Sequence, residues 1–476
     1  MVDLIPVDSQ VINKLEKEIE GEIFSHANSR YKSEPRGKYQ STANFIAKPR
    51  NTKEISKIIK LANLIGFGVV PYAGGSGLVG GQISLSGHPL VLSLERINKV
   101  RSFDSVSGVI NVEAGLILAQ LKNICKDYGR LFPLTLASEG SCMIGGNLAT
   151  NAGGVNVLKY GNARDLCFGL EAVLGDGRIY SDLKGLKKDN TGYDIKNLLI
   201  GSEGTLGIIT AASLKTFSLT RNKAALVSVN SPSDAIELYE YLSSNLDLSL
   251  QAFELISRVG IEFLSSTGLM SSFPIAPSNG WLVLVEVGSK HEELLGDSFE
   301  VFLSDAMERN LAERVIISQN QKQFDYFWEL RELIPEANRL IGSISNHDIS
   351  LPLANLASFI QRASTEISQI SDFLRINCFG HIGDGNLHFN VFPPVGKLKC
   401  EFECYEEIIR EKINDLVVSL DGSISAEHGI GRFKREDMYK YTDPTKISLM
   451  KSIKDIFDPN SILNPGSIFL DSEPCN

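Results

Sequence analysis

The sequence predicts an α+β fold with more than one domain. In its first half, short apolar runs of strand type alternate with helical segments and glycine-rich loops. In its second half, long helical segments accompany apolar runs that are typical of an antiparallel sheet. The length of 476 residues exceeds one ordinary core, and the hydrophobic fraction of 43% is that of a folded globular protein. We therefore expect two or three domains.

The first half opens with an amphipathic segment at 8–25, where Val11, Ile12 and Leu15 share one face of a predicted helix. Asp176-Gly177 predicts a hairpin turn. Around that turn we predict helices at 55–63 and 116–128 and strands at 68–71, 91–94, 171–174 and 178–180.

The polar stretch 218–223 predicts a domain boundary, beyond which a second α+β unit begins. The predicted strands of that unit lie at 225–229 and 281–286. Its predicted helices lie at 232–246, 291–310, 321–341, 354–370 and 402–420.

Composition excludes several classes of function. A net charge of −10 disfavours nucleic acid as a partner, because phosphate backbones bind clustered cations. No apolar run reaches the length of a transmembrane helix, and the N-terminus lacks a basic region followed by an apolar one. The seven cysteines are odd in number and scattered, so a disulfide framework is not expected. We predict a cytoplasmic protein.

Three residues late in the chain have the chemistry of a metal site: His381, His388 and Glu427. Two imidazoles and one carboxylate suit zinc or a similar divalent ion and leave one coordination position open. Strand alternation puts His388 and Asn390 on one face. His428 follows Glu427 directly, so it could accept a proton from a metal-bound group. For any one of these histidines alone, a buried side chain bonded to a carbonyl would be the default interpretation.

Asp384, between Gly383 and Gly385, is predicted to shape a turn, with a hydrogen bond to a metal-binding histidine as the alternative.

Three glycine-rich stretches lie far apart in the first half, at 71–81, 137–154 and 201–210. Backbone N–H groups in such loops can close around a phosphate, and Ser76 adds a hydroxyl donor. One such loop alone is explained equally well by a tight surface turn. Three of them could line one long ligand, in a pattern that differs from the dinucleotide fingerprint of Rossmann folds.

Together with the terminal Asp458-Pro459-Asn460-Ser461-Ile462-Leu463-Asn464-Pro465-Gly466, these motifs resemble the FAD-linked D-2-hydroxy-acid dehydrogenases of the vanillyl-alcohol-oxidase type. The resemblance covers about 38–469 and includes D-2-hydroxyglutarate dehydrogenases, D-lactate dehydrogenases and the glycolate oxidase catalytic subunit. It implies an N-terminal helical segment at 1–37, a PCMH-type FAD-binding domain of two subdomains at 38–218, a substrate and metal domain at 219–469 with an antiparallel sheet, and a tail at 470–476.

The resemblance also implies roles for individual residues. His381, His388 and Glu427 ligate the metal, His428 is the base, and Arg331, Asn390 and Asn346 bind substrate. An exposed helix arginine is the alternative interpretation of Arg331. The implied cofactor-binding residues are Pro71, Tyr72, Ala73, Gly74, Gly75, Ser76, Gly77 and Leu78 in the first loop; Pro133, Ser138, Gly140, Cys142, Gly145, Gly146, Asn151 and Gly153 around the second; Glu203, Gly204, Gly207 and Ile209 in the third; and Asn464.

In the chemistry that the resemblance implies, the metal activates the 2-hydroxyl, His428 takes its proton, and a hydride passes from C2 to N5 of FAD. The first loop contains no histidine or cysteine, so we expect FAD to be non-covalent. Electrons would then pass to an electron-transfer flavoprotein, a quinone or a cytochrome, among which the sequence does not choose. The resemblance also allows a homodimer.

Two departures from the hydroxyglutarate enzymes bear on the substrate. Pro335 stands where they have a threonine and Asn346 where they have a lysine, the pair expected to bind a distal carboxylate. A neutral amide cannot supply the same charge, which favours a smaller or less acidic substrate such as D-lactate. His347 is the alternative source of a cation. A milder departure is Tyr72-Ala73 in the first loop, where relatives often have Arg-Gly.

Two other functions stay open: a non-redox flavoprotein such as an ether-lipid synthase, and a non-catalytic subunit of a glycolate-oxidase-like complex.

Overall fold

The computed structural model describes residues 4–25, 29–275, 280–290 and 292–470. The strands in chain order are β1 Glu22–Ser25, β2 Phe45–Lys48, β3 Val69–Tyr72, β4 Leu90–Ser93, β5 Val100–Asp104, β6 Val109–Glu113, β7 Arg130–Leu131, β8 Cys167–Leu174, β9 Ile179–Asp182, β10 Gly207–Lys215, β11 Phe217–Ser218, β12 Arg221–Val229, β13 Ser249–Ser257, β14 Trp281–Ser289, β15 Arg314–Ile317, β16 Ser345–Ser350, β17 Arg375–Gly380 and β18 Asn386–Phe392.

The helices are α1 Ser9–Glu18, α2 Ser29–Lys32, α3 Thr52–Ile65, α4 Leu118–Asp127, α5 Ile144–Ala149, α6 Val157–Tyr160, α7 Ile195–Leu199, α8 Pro232–Asn245, α9 Arg258–Ser266, α10 Glu292–Glu308, α11 Gln321–Glu332, α12 Ile334–Ile341, α13 Leu356–Ile370, α14 Glu406–Ser419, α15 Arg435–Tyr441 and α16 Pro444–Phe457. Within the described ranges, no helix is both long enough and apolar enough to cross a membrane.

The chain forms two compact units. The first contains residues 1–153, 161–218 and 428–476, and the second contains 154–160 and 219–427. The sequence-based division assigned 219–469 to a single domain, whereas residues 428–469 group with the first unit. The physical reason is backbone pairing, because Val69 N donates to Ile462 O at 2.8 Å and Asn464 N donates to Val69 O at 2.8 Å.

The first unit has a four-stranded sheet of order β1-β2-β4-β3 and a five-stranded antiparallel sheet of order β5-β6-β10-β8-β9. Helix α3 connects β2 to β3, starts at the N-cap Asn51, whose side chain accepts from Glu54 N, and ends at Gly66. The predicted helix at 8–25 is wrong at its end, because α1 stops at Glu18 and β1 pairs with β2 instead.

The second unit is built on a seven-stranded antiparallel sheet of order β15-β12-β14-β13-β17-β18-β16. The predicted boundary at 218–223 is confirmed, because the two units divide between Ser218 and Leu219, and β12 then starts at Arg221. The predicted helix 321–341 is two helices, because Pro335 lies in the first turn of α12 and α11 ends at Glu332. The predicted helix at 402–420 begins only at Glu406.

The two faces of this sheet differ in chemistry. One face is mostly apolar and packs against α8, α10, α13 and α14, with Phe253, Leu255, Ile349, Leu387 and Phe389 among its buried side chains. The opposite face is apolar only where α9, α11 and α12 cover it. Towards β17, β18 and β16 that second face carries asparagine, histidine and carboxylate side chains, so the fold concentrates polar groups at one place.

Candidate functional site

In the first unit, the three glycine-rich stretches lie in direct contact. A Cβ added at Gly74, which has φ +79°, would come within 2.5 Å of Ser141 O. One added at Gly204 would come within 2.9 Å of the Pro71 ring. Gly146 packs against Ala73 in the same way, at 3.1 Å. The three glycine-rich stretches that the sequence analysis grouped together are therefore in contact. Side chains larger than hydrogen at these glycines would separate the stretches.

A fourth segment, near the end of the chain, joins this group. Asn464 Nδ2 donates to Gly81 O at 3.0 Å and to Glu203 O at 2.7 Å. Arg432, which sequence reasoning missed, donates to Gly80 O at 2.9 Å and to Asn464 Oδ1 at 2.9 Å. The first loop, the third loop and the terminal motif thus form one hydrogen-bonded network.

Several of the predicted cofactor residues already bond to protein groups. The Tyr72 side chain is buried and donates to Arg30 O at 2.9 Å, so only its backbone can face a ligand. The Glu203 carboxylate accepts from Ile430 N and Gly431 N, each at 2.7 Å. Burial raises the pKa of this carboxyl, although these two N–H groups oppose the shift. Asn151 Oδ1 accepts from Arg164 N at 3.0 Å.

The remaining predicted cofactor residues are parts of the same loops or strands. Gly207 begins β10, where Ile209 is buried, and Gly145 and Gly146 lie in the first turn of α5. Cys142 is also buried. Their roles towards a flavin stay predictions.

In the second unit, the structure brings together His381, His388 and Glu427. Their potential ligand atoms all lie within 4.8 Å of one another, and His381 Nε2 is 3.5 Å from Glu427 Oε1. The two imidazole rings are 5.6 Å apart at an angle of 80°. Two nitrogen donors and one oxygen donor thus lie close enough together to hold a divalent metal. We refer to these three residues as the histidine–glutamate cluster.

The local backbone explains this convergence. β17 ends at Gly380, a single 3-10 turn covers Ile382–Asp384, and β18 returns antiparallel from Asn386. Gly385 has φ +89°, which favours glycine at the tightest point of this turn. Asp384 shapes the turn as predicted, since its Oδ1 accepts from Asn386 N at 3.2 Å. Burial raises the pKa of Asp384 to about 7.

A buried carboxylate that was not predicted from the sequence, that of Glu254, orients this cluster through His381. Glu254 Oε1 lies 2.6 Å from His381 Nδ1, and Glu254 Oε2 accepts from Arg331 Nε at 2.8 Å. Burial alone would raise the Glu254 pKa, but His381 and Arg331 outweigh it and lower that pKa to about 2. Burial lowers the His381 pKa, yet Glu254 and Glu427 raise it to about 9. With Nδ1 facing Glu254, Nε2 of His381 is the nitrogen that faces the cluster.

A second missed carboxylate, Asp348, lies beside His388 and Glu427. Its Oδ1 is 3.5 Å from His388 Nδ1, and its Oδ2 accepts from Glu427 N at 2.9 Å. Asn386 Nδ2 donates to Asp348 Oδ1 at 3.0 Å. Gly154 N donates to Glu427 Oε1 at 2.7 Å. The signal that could have revealed Asp348 is strand register, since it lies directly opposite His388 across β16 and β18.

Two of the predicted substrate-binding residues, Asn346 and Asn390, lie on the same face of the sheet as the cluster. The third, Arg331, lies on α11. Arg331 is buried rather than exposed, and its guanidinium lies 4.8 Å from the centre of the Phe379 ring. Asn346 and Asn390 are opposite each other on β16 and β18. His347 points to the other face of the sheet, where it bonds Ser345 Oγ at 2.8 Å. The alternative that His347 supplies a cation to this face is therefore wrong.

His428, the predicted base, is the residue at which the chain enters the first unit, directly after Glu427 of the second. Its role as a base stays a prediction.

Comparison with known proteins gives the family. A family model described as "FAD linked oxidases, C-terminal domain" matches residues 219–468, and one described as "FAD binding domain" matches 43–182. The chain is 34% identical to the mitochondrial D-2-hydroxyglutarate dehydrogenase of Arabidopsis thaliana, over 90% of this chain and 75% of that protein. It is 34% identical to the D-2-hydroxyglutarate–pyruvate transhydrogenase of Saccharomyces cerevisiae, over 90% and 87%.

Solved structures with the same fold include p-cresol methylhydroxylase, with a TM-score of 0.74, 14% identity and coverage of 98% of this chain and 99% of that one. Alkyldihydroxyacetonephosphate synthase gives a TM-score of 0.72 at 17% identity, over 98% of this chain and 86% of that one. These likenesses confirm the predicted α+β fold of the PCMH type. The chain belongs to the FAD-linked oxidase family, in the group that contains the D-2-hydroxyglutarate and D-lactate dehydrogenases, and it is an FAD-linked oxidoreductase.

Proposed function

We propose that the protein oxidises a D-2-hydroxy acid to the 2-oxo acid with non-covalent FAD as the first electron acceptor. The observation that carries the proposal is the connection Arg331–Glu254–His381, which joins a buried guanidinium to the histidine–glutamate cluster through one carboxylate. A guanidinium recognises a carboxylate, and a metal site with an open position recognises a neighbouring hydroxyl. A 2-hydroxy acid carries these two groups on adjacent carbons.

The ligand set fits a zinc-type divalent metal. His381 Nε2 is directed by Glu254 on its other nitrogen, and His388 has Asp348 beside its Nδ1, as metal-binding histidines commonly have. When bound, FAD accepts the hydride from C2 and the metal lowers the pKa of the substrate hydroxyl. The name of the S. cerevisiae relative, a transhydrogenase, supports the same class of reaction.

The protein's own groups then have separate tasks. Nε of Arg331 bonds Glu254, so its two terminal nitrogens are the ones proposed to bind the substrate carboxylate. Glu254 fixes the orientation of both Arg331 and His381. His428 accepts the hydroxyl proton, a role that its position next to Glu427 supports. A separate electron acceptor would reoxidise the flavin.

The test is to mix the protein with a candidate substrate without oxygen and to measure reduction of the bound flavin as a loss of its visible absorbance. The D- and L-forms of lactate, 2-hydroxyglutarate and malate would be compared, together with glycolate, before and after a chelator. We expect a D-acid to reduce the flavin and chelation to prevent it. His388→Ala should abolish reduction, whereas His347→Gln, on the opposite face of the same sheet, should retain it.

Two results would contradict the proposal. Reduction that survives complete removal of metal would reject the role of the histidine–glutamate cluster. A flavin that no 2-hydroxy acid reduces would favour the non-redox alternative or that of a non-catalytic subunit.

A further inference from the structure

A row of asparagine side chains runs beside the histidine–glutamate cluster. Asn346, Asn390 and Asn377 are register partners on the adjacent strands β16, β18 and β17, so they project from one face. His388 lies two residues before Asn390 on β18 and projects from that same face. Two residues along a strand span roughly 7 Å. A group bound at the cluster and extended by a few carbons would therefore reach this row.

A fourth asparagine, Asn338 of α12, has a buried amide nitrogen without a partner among the described residues. A chain of hydrogen bonds fixes its orientation. Gly260 N donates to Ser257 Oγ at 3.3 Å, and Ser257 Oγ donates to Asn377 Oδ1 at 2.7 Å. Asn377 Nδ2 in turn donates to Asn338 Oδ1 at 2.8 Å. Every acceptor in the chain is thereby used, and the Nδ2 of Asn338 remains as a donor.

An unsatisfied donor of this kind points to a ligand. Asn338 is only 6% exposed, so bulk water does not readily replace a missing partner. Leaving a buried amide donor unpaired is unfavourable, because the group has lost its hydrogen bonds to water. A carbonyl or hydroxyl oxygen on a bound molecule would recover that free energy.

The charges around the row decide which oxygen fits. Among β13, β16, β17 and β18, the only lysine or arginine is Arg375. Its Nε donates to Pro393 O at 2.7 Å, and its guanidinium lies 4.8 Å from the centre of the Phe263 ring. Arg331 is paired with Glu254 through Nε, and its terminal nitrogens are assigned above to the substrate's first carboxylate. A second carboxylate placed beside the buried Asn377 and Asn390 would meet neutral amides, and burying a charge without a counter-ion is costly.

We propose that Asn338, Asn346 and Asn390 form a subsite for the far end of the substrate, and that this subsite selects an uncharged hydrogen-bond acceptor. The preferred substrates are then D-2-hydroxy acids that end in an amide or hydroxyl rather than in a second carboxylate. This inference rests on the proposed function and deepens it.

A matched set of three substrates tests it. D-2-hydroxyglutarate, its 5-amide and D-2-hydroxy-5-methylhexanoate have the same chain length and branching and end in a carboxylate, an amide and an isopropyl group. The measurement is kcat/KM for reduction of the flavin in the holoenzyme. We expect the amide to exceed the dicarboxylate by about tenfold or more, equivalent to about 1.4 kcal/mol.

Two variants make the test specific to the row. Asn346→Lys should reverse the order of amide and dicarboxylate, whereas Asn346→Gln, which stays neutral, should not. Asn338→Leu should remove the advantage of the amide over the isopropyl compound. If the dicarboxylate is the best substrate of the wild type and Asn346→Lys leaves the ratio unchanged, this inference is overturned and the proposed function stands. If none of the three acids reduces the flavin, the proposed function itself fails.

Discussion

Glu254 and His381 form a short polar contact at the edge of the histidine–glutamate cluster, at 2.6 Å between Oε1 and Nδ1. The Glu254 side chain is 1% exposed, so neither water nor salt can substitute for it. The same carboxylate accepts from Arg331, and its two oxygens thus serve two different predicted tasks.

Replacing this carboxylate should weaken metal binding. In Glu254→Gln only one side-chain oxygen remains, so His381 or Arg331 must face an amide NH₂. We expect metal affinity to fall about 10–100-fold, as for other residues that orient metal ligands. Competition with a chromophoric chelator measures this affinity without any assay of activity. Glu262→Gln, in an exposed ion pair with Arg258, is the control and should bind metal normally. An unchanged affinity in Glu254→Gln would show that His381 does not need this partner.

A methyl group at Gly74 should reduce flavin content. Gly74 and Gly87 both have positive φ, at +79° and +75°, so alanine is strained at both. Only at Gly74 would the new Cβ collide, at 2.5 Å from Ser141 O, because nothing lies within 4 Å at Gly87. Gly74→Ala should therefore purify with much less FAD than Gly87→Ala, measured as flavin per protein. Equal flavin content in the two variants would mean that close contact between the first and second loops is not needed for binding.

Glu286 should make stability depend on pH. Burial raises its pKa from the ordinary 4.5 to about 7, while hydrogen bonds from Trp328 and Asn222 oppose the shift. The unfolded chain ionises first, so this group destabilises the fold increasingly as pH rises from about 4.5 to 7, with a plateau near 3 kcal/mol above that range. Glu286→Gln should remove this dependence. Its midpoint in urea should match that of the wild type at pH 4 and exceed it at pH 8, whereas a parallel pH profile of the two proteins would contradict the raised pKa.

Removing the Glu203 carboxylate should loosen the segment after His428. Glu203→Ala leaves the N–H groups of Ile430 and Gly431 without their acceptor, at a cost of about 1–3 kcal/mol for the buried Gly431 N–H and less for the partly buried Ile430 N–H. The melting temperature should fall, and the amides of Ile430 and Gly431 should exchange with solvent faster than in the wild type. Glu203→Gln, which keeps one oxygen, should lie between the two. If those two amides exchange at the wild-type rate in Glu203→Ala, other contacts fix this segment.

The parts of the fold that the sequence predicted are those that depend on local chemistry. α3 and α8 begin at Asn51 and Ser231, whose side chains cap the first turn, and both were predicted near their true positions. The turn at Asp176-Gly177 was predicted from its residue types alone. The wrong predictions depend on distant partners. Residues 22–25 form a strand because β2 pairs with them, and no local pattern encodes that pairing.

The candidate site divides in the same way. The histidine–glutamate cluster was predicted from short motifs with distinctive residue types. Glu254 and Asp348 were missed because each lies in a strand whose partner is far away in sequence, at His381 and at His388. One feature of the sequence could have indicated Glu254, because it is the single charged residue in the apolar run of β13. The burial of Arg331 could not be predicted from the sequence of α11 alone, because it depends on how α11 packs against the sheet.

The first unit combines segments from both ends of the chain, and this has a consequence for how the protein folds during synthesis. Its sheet edge at Val69 bonds Ile462 and Asn464, almost 400 positions later in the chain. During translation, that edge stays unpaired while the entire second unit is synthesised, even though domains generally fold in order from the N-terminus. An exposed strand edge is a template for association with other chains. We expect nascent chains that stop before residue 460 to depend on chaperones, whereas release of the last residues lets the first unit close.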